Sequence, residues 1–157
     1  MTTIRKATEN DAARIEQLYT ELEQDAVLYQ PEHFVFSPKG ARSKQLETIL
    51  SSDNQIMLVA EEDGNVIGFA HVVFNKAKAI SCLKPQSNIY LQDLVVTSSY
   101  RSKGIGTQLL EAAKAYGREN KVDFFRTQVF PMNKAGLRFY ERNGFKQTMI
   151  TIECPLK

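Results

Sequence analysis

Two apolar runs on either side of a polar dipeptide form the clearest pattern in the chain. The stretch QIMLVAEEDGNVIGFAHVVF, from Gln55 to Phe74, is rich in apolar and β-branched residues before and after Asp63-Gly64. This dipeptide tolerates the positive φ angles of a tight two-residue turn. The pattern therefore predicts a β-hairpin.

Apolar residues recur with the helical or the strand period in most of the remaining chain. The helical period predicts helices over Asp11–Asp25, Ala41–Ser51, Gly104–Asn120 and Asn133–Asn143. Apolar and β-branched runs predict further strands over Thr3–Ala7, Ile89–Val96, Asp123–Phe130 and Phe145–Leu156. Gly144 stands where a glycine commonly closes a helix.

The order of these elements is β-α-α-β-β-β-α-β-α-β. A hairpin followed by a strand–helix–strand crossover predicts an α/β fold of the α+β kind, with one mixed, mostly antiparallel sheet and helices on both faces. The crossover from Val96 to Phe124 should place two central strands in parallel. With 157 residues and no linker-like stretch, we expect one domain spanning residues 1–157.

Composition and charge narrow the classes of function. Hydrophobic residues make up 43% of the chain, and the net charge of +2 is too small to argue for nucleic acid or a membrane surface. No apolar run is long enough to span a membrane or form a signal-peptide core. Cys82 and Cys154 lie far apart, which suggests neither a disulfide framework nor a metal site. We expect a cytoplasmic protein without a metal.

Candidate chemistry lies where the strand ending at Val96 meets the helix starting at Gly104. The first N–H groups of a helix lack partners, and the helix dipole adds partial positive charge there. Glycines at 104 and 106 would let these amides approach an anion, and Arg101 and Lys103 add cationic charge. The turn suits a phosphorylated ligand, although a tight turn alone would also select glycine. The glycine spacing fits neither a P-loop nor a dinucleotide fingerprint.

The stretch VVTSSYRSKGIGTQLL resembles the acetyl-CoA signature of the GNAT superfamily of N-acetyltransferases. That signature reads [Q/R]-x-x-G-x-[G/A], and it corresponds here to Arg101 through Gly106. The later stretch NKAGLRFYERNGF, from Asn133 to Phe145, is similar to the family segment ending in F-Y-x-x-x-G-F. The element order matches over nearly the whole chain. The resemblance implies an N-acetyltransferase with acetyl-CoA as cosubstrate.

The resemblance also implies where coenzyme A binds. In the family the pyrophosphate lies on the turn amides, and the pantetheine arm pairs with a central strand whose parallel neighbour splays away. A main-chain N–H of the same strand would stabilise the oxyanion. The corresponding residues here are Leu94, Val95, Val96, Arg101, Ser102, Lys103, Gly104, Ile105, Gly106, Thr107 and Asn133.

The resemblance assigns the catalytic acid but leaves the base open. Tyr140 corresponds to the tyrosine that in many members lies near the CoA sulfur, and a phenol is protonated at neutral pH. The alternative is that Tyr140 only packs against Phe139 on the helix. Many members carry a Glu where this chain has Gln92, which can orient a substrate but cannot accept a proton. Strand alternation sends Asp93 to the opposite face, and His71, His33 and water remain as alternatives.

The acceptor is expected to be a primary amine on a small molecule or a peptide. The stretch ELEQDAVLYQPEHF carries four carboxylates that could attract a cation or could be solvated: Glu21, Glu23, Asp25 and Glu32. A missing Glu at position 92 keeps a non-catalytic acyl-CoA-binding domain open as an alternative. A protein N-terminal acetyltransferase of the ribosomal type is another alternative. The family resemblance also allows a homodimer.

Overall fold

The computed structural model describes residues 1–157, which form a five-stranded sheet and four α-helices. The strands are β1 Thr3–Lys6, β2 Gln55–Glu62, β3 Asn65–Asn75, β4 Asn88–Val96 and β5 Phe124–Arg126. The helices are α1 Ala12–Tyr29, α2 Ala41–Leu50, α3 Ile105–Glu119 and α4 Lys134–Arg142, with short 3-10 turns at Glu9–Asp11 and Ser98–Tyr100. None of the helices combines the length and apolar character needed to cross a membrane.

The strands lie in chain order across the sheet, β1-β2-β3-β4-β5. All neighbouring pairs are antiparallel except β4 and β5, which are parallel. One apolar core lies between the sheet and α1 and α2, and the other lies between the sheet and α3. The predicted mixed, mostly antiparallel sheet with helices on both faces and one parallel pair is therefore confirmed, but the pair lies at the edge of the sheet and not at its centre.

The hairpin prediction is confirmed in its turn as well as its strands. Asp63 and Gly64 have φ angles of 50° and 77°, so both central residues are left-handed. This is the conformation whose twist matches that of the flanking strands. Asp63 is tolerated there because a short polar side chain fits the left-handed region better than a bulky one.

β4 carries a bulge at Gln92. Asp93 lies opposite His71 and Leu91 lies opposite Val72, so Gln92 has no partner in β3. The extra residue shifts the alternation of side chains along the strand. As a result Leu91 and Leu94 both pack toward α3 although they are three positions apart.

Every helix boundary lies within one residue of its prediction except the end of the first helix. The first helix continues to Tyr29, past the predicted end at Asp25, because nothing breaks it before Gln30 and Pro31. The residue before a proline is disfavoured in the helical conformation, which explains the observed end. The third helix begins at Ile105, since Gly104 itself has a φ of +81° and caps the helix.

Two strand predictions are corrected. The strand expected over Asp123–Phe130 ends at Arg126, because it leaves its only partner after three residue pairs. The strand expected over Phe145–Leu156 is absent from the structure, and residues 146–157 belong to no helix or strand. Their alternating pattern gives them the capacity to pair, but no neighbouring strand offers them hydrogen bonds.

Candidate active site

The turn between β4 and α3 presents six consecutive unpaired amides. The N–H groups of Ser102, Lys103, Gly104, Ile105, Gly106 and Thr107 donate to no acceptor in the chain, and the first helical bond of this region runs from the Gln108 N–H to the Gly104 carbonyl at 3.1 Å. A helix of 15 residues places its positive dipole end at the same point. The turn can therefore bind an anion through the main chain alone.

The two signature glycines serve different purposes. Gly104 is left-handed, and a Cβ placed on it would meet nothing within 4 Å, so its conformation requires a glycine and its surroundings are open. A Cβ on Gly106 would lie 3.1 Å from the ring of Phe139 in α4. Gly106 therefore allows α4 to pack closely against α3. Ser102 is also left-handed, with a φ of 62°, which turns the chain sharply before the helix.

The cationic side chains of the turn are partly engaged with the protein. The Arg101 Nε donates to the Val96 carbonyl at 2.9 Å, and its Nη2 lies 4.0 Å from a carboxylate oxygen of Glu21. Glu21 also accepts from the Thr97 hydroxyl at 2.8 Å and from the Ser98 N–H at 3.1 Å. The Glu21 carboxylate, expected as a possible contact for a cationic amine, thus fixes the turn. The Lys103 Nζ lies above the Tyr100 ring, 5.1 Å from its centroid.

A gap opens beside the second half of β4. The parallel pairing with β5 covers only Asn88–Tyr90 and Phe124–Arg126. The Thr97 N–H donates to the Ile67 carbonyl of β3 at 2.8 Å. Because main-chain groups alternate in direction along a strand, Thr97 and Val95 direct theirs toward β3, and the residues that alternate with them direct theirs away from it. Leu94 and Val96 therefore direct their N–H and C=O groups toward the gap.

Val95 differs from its two neighbours. It lies opposite Phe69 and directs its main-chain groups toward β3, while its side chain is buried against α1 and α2. Of the three β4 residues expected at the coenzyme, only Leu94 and Val96 offer main-chain groups to the gap. The side chain of Ile105 is likewise buried in the core, so only its N–H is available to a ligand.

Tyr140 lies at the closed end of the gap. Its ring packs between Phe139 at 5.1 Å and Phe145 at 5.4 Å, which satisfies the packing alternative as well. Burial raises the pKa of Tyr140 to about 12, and the nearby Thr127 hydroxyl opposes this rise. The phenol therefore keeps its proton at neutral pH.

Two side-chain hydrogen bonds join the strands where they diverge. The Thr127 hydroxyl donates to the Leu91 carbonyl at 3.0 Å, and the Tyr90 hydroxyl donates to Gln128 Oε1 at 2.9 Å. Asn133 caps the following helix, where its Oδ1 accepts from the Gly136 N–H at 3.0 Å. The first two bonds hold the closed end of the gap together, and the third stabilises the first turn of α4.

Asp93 belongs to a buried polar cluster on the α1 side of the sheet. Its Oδ2 accepts from the Tyr19 hydroxyl at 2.9 Å and lies 3.6 Å from Nδ1 of His71. This His71 nitrogen is buried and has no hydrogen-bond partner, while Nε2 contacts Gln55 at 2.8 Å. Burial is the main cause that raises the pKa of Tyr90 and of Tyr140, and the charge of Asp93 contributes to both rises, as the smallest of the causes for Tyr140. Gln92 is exposed and makes no hydrogen bond.

The end of α1 and the α1–α2 loop pack against the stretch that follows β5. Phe130, just beyond β5, packs against Tyr29 at 6.0 Å and against Phe34 at 5.5 Å. Glu23 is buried and binds the Ser37 N–H and hydroxyl and Arg42. Burial alone would raise the pKa of Glu23, but these hydrogen bonds lower it overall. Glu23 therefore serves the loop rather than a ligand.

The structure brings together most of the predicted site and adds residues that the sequence did not reveal. The turn, the β4 edge and Tyr140 border one gap. His33 lies apart from them, bound to Glu153 at 2.8 Å. Thr127 and Asp93 were not predicted as part of this region. The β-bulge, which moves Asp93 relative to a regular strand, has no unambiguous signal in one sequence.

Comparisons with known proteins give a consistent picture. Residues 11–145 match the Acetyltransferase (GNAT) family. The uncharacterized N-acetyltransferase YhfO of Bacillus subtilis is 29% identical over 144 residues, which are 92% of this chain and 89% of that protein. Aminoglycoside N(6')-acetyltransferase type 1 of Salmonella typhimurium is 25% identical over 111 residues, 71% of this chain and 76% of that one.

Two solved structures show the same fold at low identity. A mutant of the BH1408 protein from Bacillus halodurans has a TM-score of 0.93 at 22% identity, covering 99% of both chains. The aminoglycoside acetyltransferase AAC(6')-Iy, in complex with a bisubstrate analog of CoA, has a TM-score of 0.79 at 22% identity. That match covers 100% of this chain and 99% of the other.

Proposed function

Because the chain belongs to the GNAT acetyltransferase family, to which residues 11–145 match, we propose that it transfers the acetyl group of acetyl-CoA to a primary amine. The observation that carries this proposal is the row of six unpaired amides at the start of α3, beside the gap between β4 and β5. A diphosphate needs such donors, and a pantetheine arm needs the free strand edge next to them.

The residues of the gap fit coenzyme A in three parts. The amides of residues 102–107 bind the diphosphate, with the hydroxyls of Ser102 and Thr107 and the charge of Lys103 as further contacts. The N–H groups of Leu94 and Val96 bind the pantetheine arm and the thioester oxygen. Asn133, which already caps α4, borders the same ligand. One oxyanion donor is worth about 2.7–4 kcal/mol of transition-state stabilisation.

The proposed reaction is a direct attack of the amine on the thioester. The nitrogen lone pair forms the new C–N bond, the C–S bond breaks, and the electrons leave on sulfur. Tyr140 protonates the departing thiolate, since its raised pKa keeps the phenol protonated until that moment.

We propose that Asp93 accepts the proton of the amine. It takes the role of the glutamate that many family members carry where this chain has Gln92. Its charge acts on Tyr90 and Tyr140, which border the gap. Tyr19 donates to it and His71 lies 3.6 Å away, so the group is held in place. Gln92, exposed and unbonded, is left to orient the acceptor.

A small-molecule amine is the acceptor class that we favour. The relatives include aminoglycoside acetyltransferases, whose named substrates are small polyamines. Asp25 on α1 and Glu32 in the following loop are exposed and could attract such a cation. Glu21 and Glu23 are engaged elsewhere, as their hydrogen bonds show.

An acetylation assay tests the proposal. The purified protein is mixed with acetyl-CoA and a panel of aminoglycosides, polyamines and peptides with free α-amines, and free thiol release is followed. We expect turnover on at least one small amine and a higher melting temperature with acetyl-CoA. Activity confined to peptide α-amines would replace the small-molecule acceptor by a protein N-terminus. If the protein neither turns over any amine nor gains thermal stability with acetyl-CoA, the proposal is overturned.

A non-catalytic acyl-CoA-binding domain is the second candidate, and the Gln92 position favours it. It predicts binding of acetyl-CoA without acetyl transfer to any amine in the panel. The Gln92→Glu variant separates the two functions. If the wild-type protein is inactive and this variant is active, the chain is a binding domain that has lost its base.

A further inference from the structure

The turn that carries the unpaired amides has little support from its own main chain. Between Thr97 and Gln108 it contains two internal main-chain hydrogen bonds, donated by the Tyr100 N–H at 2.9 Å and by the Arg101 N–H at 3.4 Å. Its free N–H groups carry partial positive charges of one sign side by side, and Ser102 is left-handed. A conformation of this kind persists only where the surrounding structure holds it.

One side chain from outside the turn holds it. The Glu21 carboxylate on α1 accepts from the Thr97 hydroxyl at 2.8 Å through Oε2 and from the Ser98 N–H at 3.1 Å through Oε1. No other side chain outside residues 96–107 forms a hydrogen bond with this turn. Both carboxylate oxygens are therefore used, one on each of two consecutive residues. Hydrogen bonds to an ionised carboxylate are stronger than those between neutral groups.

The helix that carries Glu21 is itself firmly held against the sheet. The side chains of Leu18 and Tyr19 are almost fully buried in the core on this face. The Tyr19 hydroxyl also donates to Asp93 in β4 at 2.9 Å. Glu21 lies two residues further along α1, so its position relative to β4 is fixed. Because the turn leaves β4 after Val96, α1 holds the turn against the strand from which it starts.

Arg101 completes this arrangement and compensates the charge of the carboxylate. Its Nε donates to the Val96 carbonyl at 2.9 Å, and its Nη2 lies 4.0 Å from Glu21. A lone carboxylate beside the amides would repel an anionic ligand. With Arg101 next to it the pair is close to neutral, so the amides and Lys103 determine the charge that a ligand meets.

We propose that Glu21 is a positioning residue for coenzyme A. It does not contact the coenzyme. It acts through Thr97, Ser98 and Arg101, which hold the turn in the conformation that presents the amides of residues 102–107. This role rests on the proposed function, since it concerns the site that binds the diphosphate.

The charge of Glu21 and its supporting role have opposite effects on binding. Loss of a negative charge beside an anion site strengthens the binding of an anion. Loss of the support weakens binding, because the ligand must then order the turn at its own cost in entropy. The hydrogen bonds at 2.8 and 3.1 Å outweigh the ion pair with Arg101, which is half-exposed and 4.0 Å long. Removal of the Glu21 carboxylate should therefore weaken coenzyme binding.

Calorimetric titration with coenzyme A tests this on Glu21→Ala, with Glu16→Ala as the matched control. Glu16 lies on the same helix and accepts a similar pair of bonds, from the Gly40 N–H at 2.6 Å and the Ser43 hydroxyl at 2.8 Å, but these hold the α1–α2 loop. Both variants should lose stability in denaturant titration. Only Glu21→Ala should bind coenzyme A about tenfold more weakly, or by about 1.4 kcal/mol. With an accepted amine, its KM for acetyl-CoA should rise by a similar factor while kcat is nearly unchanged.

Glu21→Gln gives a second measurement, because it keeps the size of the side chain and removes its charge. The amide oxygen can replace only one of the two acceptors, so the affinity of this variant should lie between those of the wild type and Glu21→Ala. If Glu21→Ala does not fold, Glu21→Gln decides alone, and weaker binding of coenzyme A supports the assigned role.

Equal or tighter binding of coenzyme A in the Glu21 variants would overturn this role, and so would an equal loss of affinity in Glu16→Ala. The wild-type titration separates the role of Glu21 from the proposed function. If the wild type does not bind coenzyme A, both are overturned. If the wild type and all variants bind it with one affinity, the coenzyme site stands and only the role of Glu21 is overturned.

Discussion

Thr127 donates its hydroxyl hydrogen to the Leu91 carbonyl at 3.0 Å, at the point where β5 leaves β4. The bond fixes the width of the gap at its closed end, next to Tyr140. The Thr127→Val variant keeps the shape of the side chain but leaves the carbonyl unpaired. We expect a loss of about 1 kcal/mol in unfolding free energy, with lower turnover. The control variant Thr48→Val removes an exposed hydroxyl on α2. It should change neither the unfolding free energy, measured by denaturant titration, nor the turnover, measured by the acetylation assay.

Removing the phenol hydroxyl of Tyr140 should separate chemistry from binding. The Tyr140→Phe variant keeps the ring between Phe139 and Phe145 and removes only the proton donor. We expect kcat to fall by about 10²–10⁴-fold, with affinity for coenzyme A nearly unchanged. Tyr116→Phe is the control, because that partly buried tyrosine lies on α3 away from the gap. Unchanged turnover in Tyr140→Phe would exclude it as the acid.

Replacing Gly104 should weaken coenzyme binding more than a similar change elsewhere. Gly104→Ala and Gly64→Ala both place a Cβ at a positive φ with open space around it. Each should cost about 1–2 kcal/mol of stability. Only Gly104→Ala displaces the unpaired amides, so calorimetry should find about tenfold weaker binding of coenzyme A in that variant, or about 1.4 kcal/mol. Equal affinities in the two variants would contradict the assigned anion site.

Neutralising Asp93 should lower the rate while preserving the coenzyme site. The Asp93→Asn variant removes the proposed proton acceptor without a large change in size. We expect kcat to fall by about 10²–10⁴-fold, with the affinity for acetyl-CoA retained. Tyr19→Phe removes one donor to this carboxylate but leaves its charge, and should have a much smaller effect. If Asp93→Asn keeps a normal kcat across the pH range, the amine proton is accepted by water and not by Asp93.

Stability at acid pH should depend on Asp11. Arg5 donates to both carboxylate oxygens of Asp11, at 2.8 and 3.0 Å, and this hydrogen bonding lowers the pKa of Asp11. The unfolded state therefore binds the proton first, so stability is full above about pH 4, the unfolded pKa, and is lost as pH falls through the lower folded pKa. Asp11→Asn should cost about 1–3 kcal/mol at neutral pH and less at acid pH. Asp25→Asn, at an exposed site on α1, is the control for chemical denaturation across pH.

Local patterns were enough to predict most of the fold. The Asp63-Gly64 turn, the apolar face of α3 and the glycine at the start of that helix are determined by residues within one element. The parallel pairing of β4 and β5 followed because a helix must cross between them. The predicted strand after Phe145 failed because alternation reports the capacity to pair, whereas pairing requires a partner in space.

Only part of the site could be predicted from the sequence, because local patterns do not show which distant residues become neighbours in space. Arg101 through Thr107 form one local motif, and their sequence identifies their chemistry. Thr127 meets Leu91 across 36 positions, and Asp93 meets Tyr19 across 74. No local pattern encodes such distant contacts. The role of Gly106 in packing against Phe139 also required the position of a second helix.

The unpaired residue at position 92 sets the phase of everything that follows it in β4. Without it, the residues from Asp93 to Val96 would shift by one position in their pairing with β3. The side chains that now face α3 would then face α1, and those that face α1 would face α3. The side chain at this position is exposed, so it adds little to the packing of the core. The register depends on the number of residues in β4, so deletion of residue 92 should destabilise the protein far more than any substitution of it.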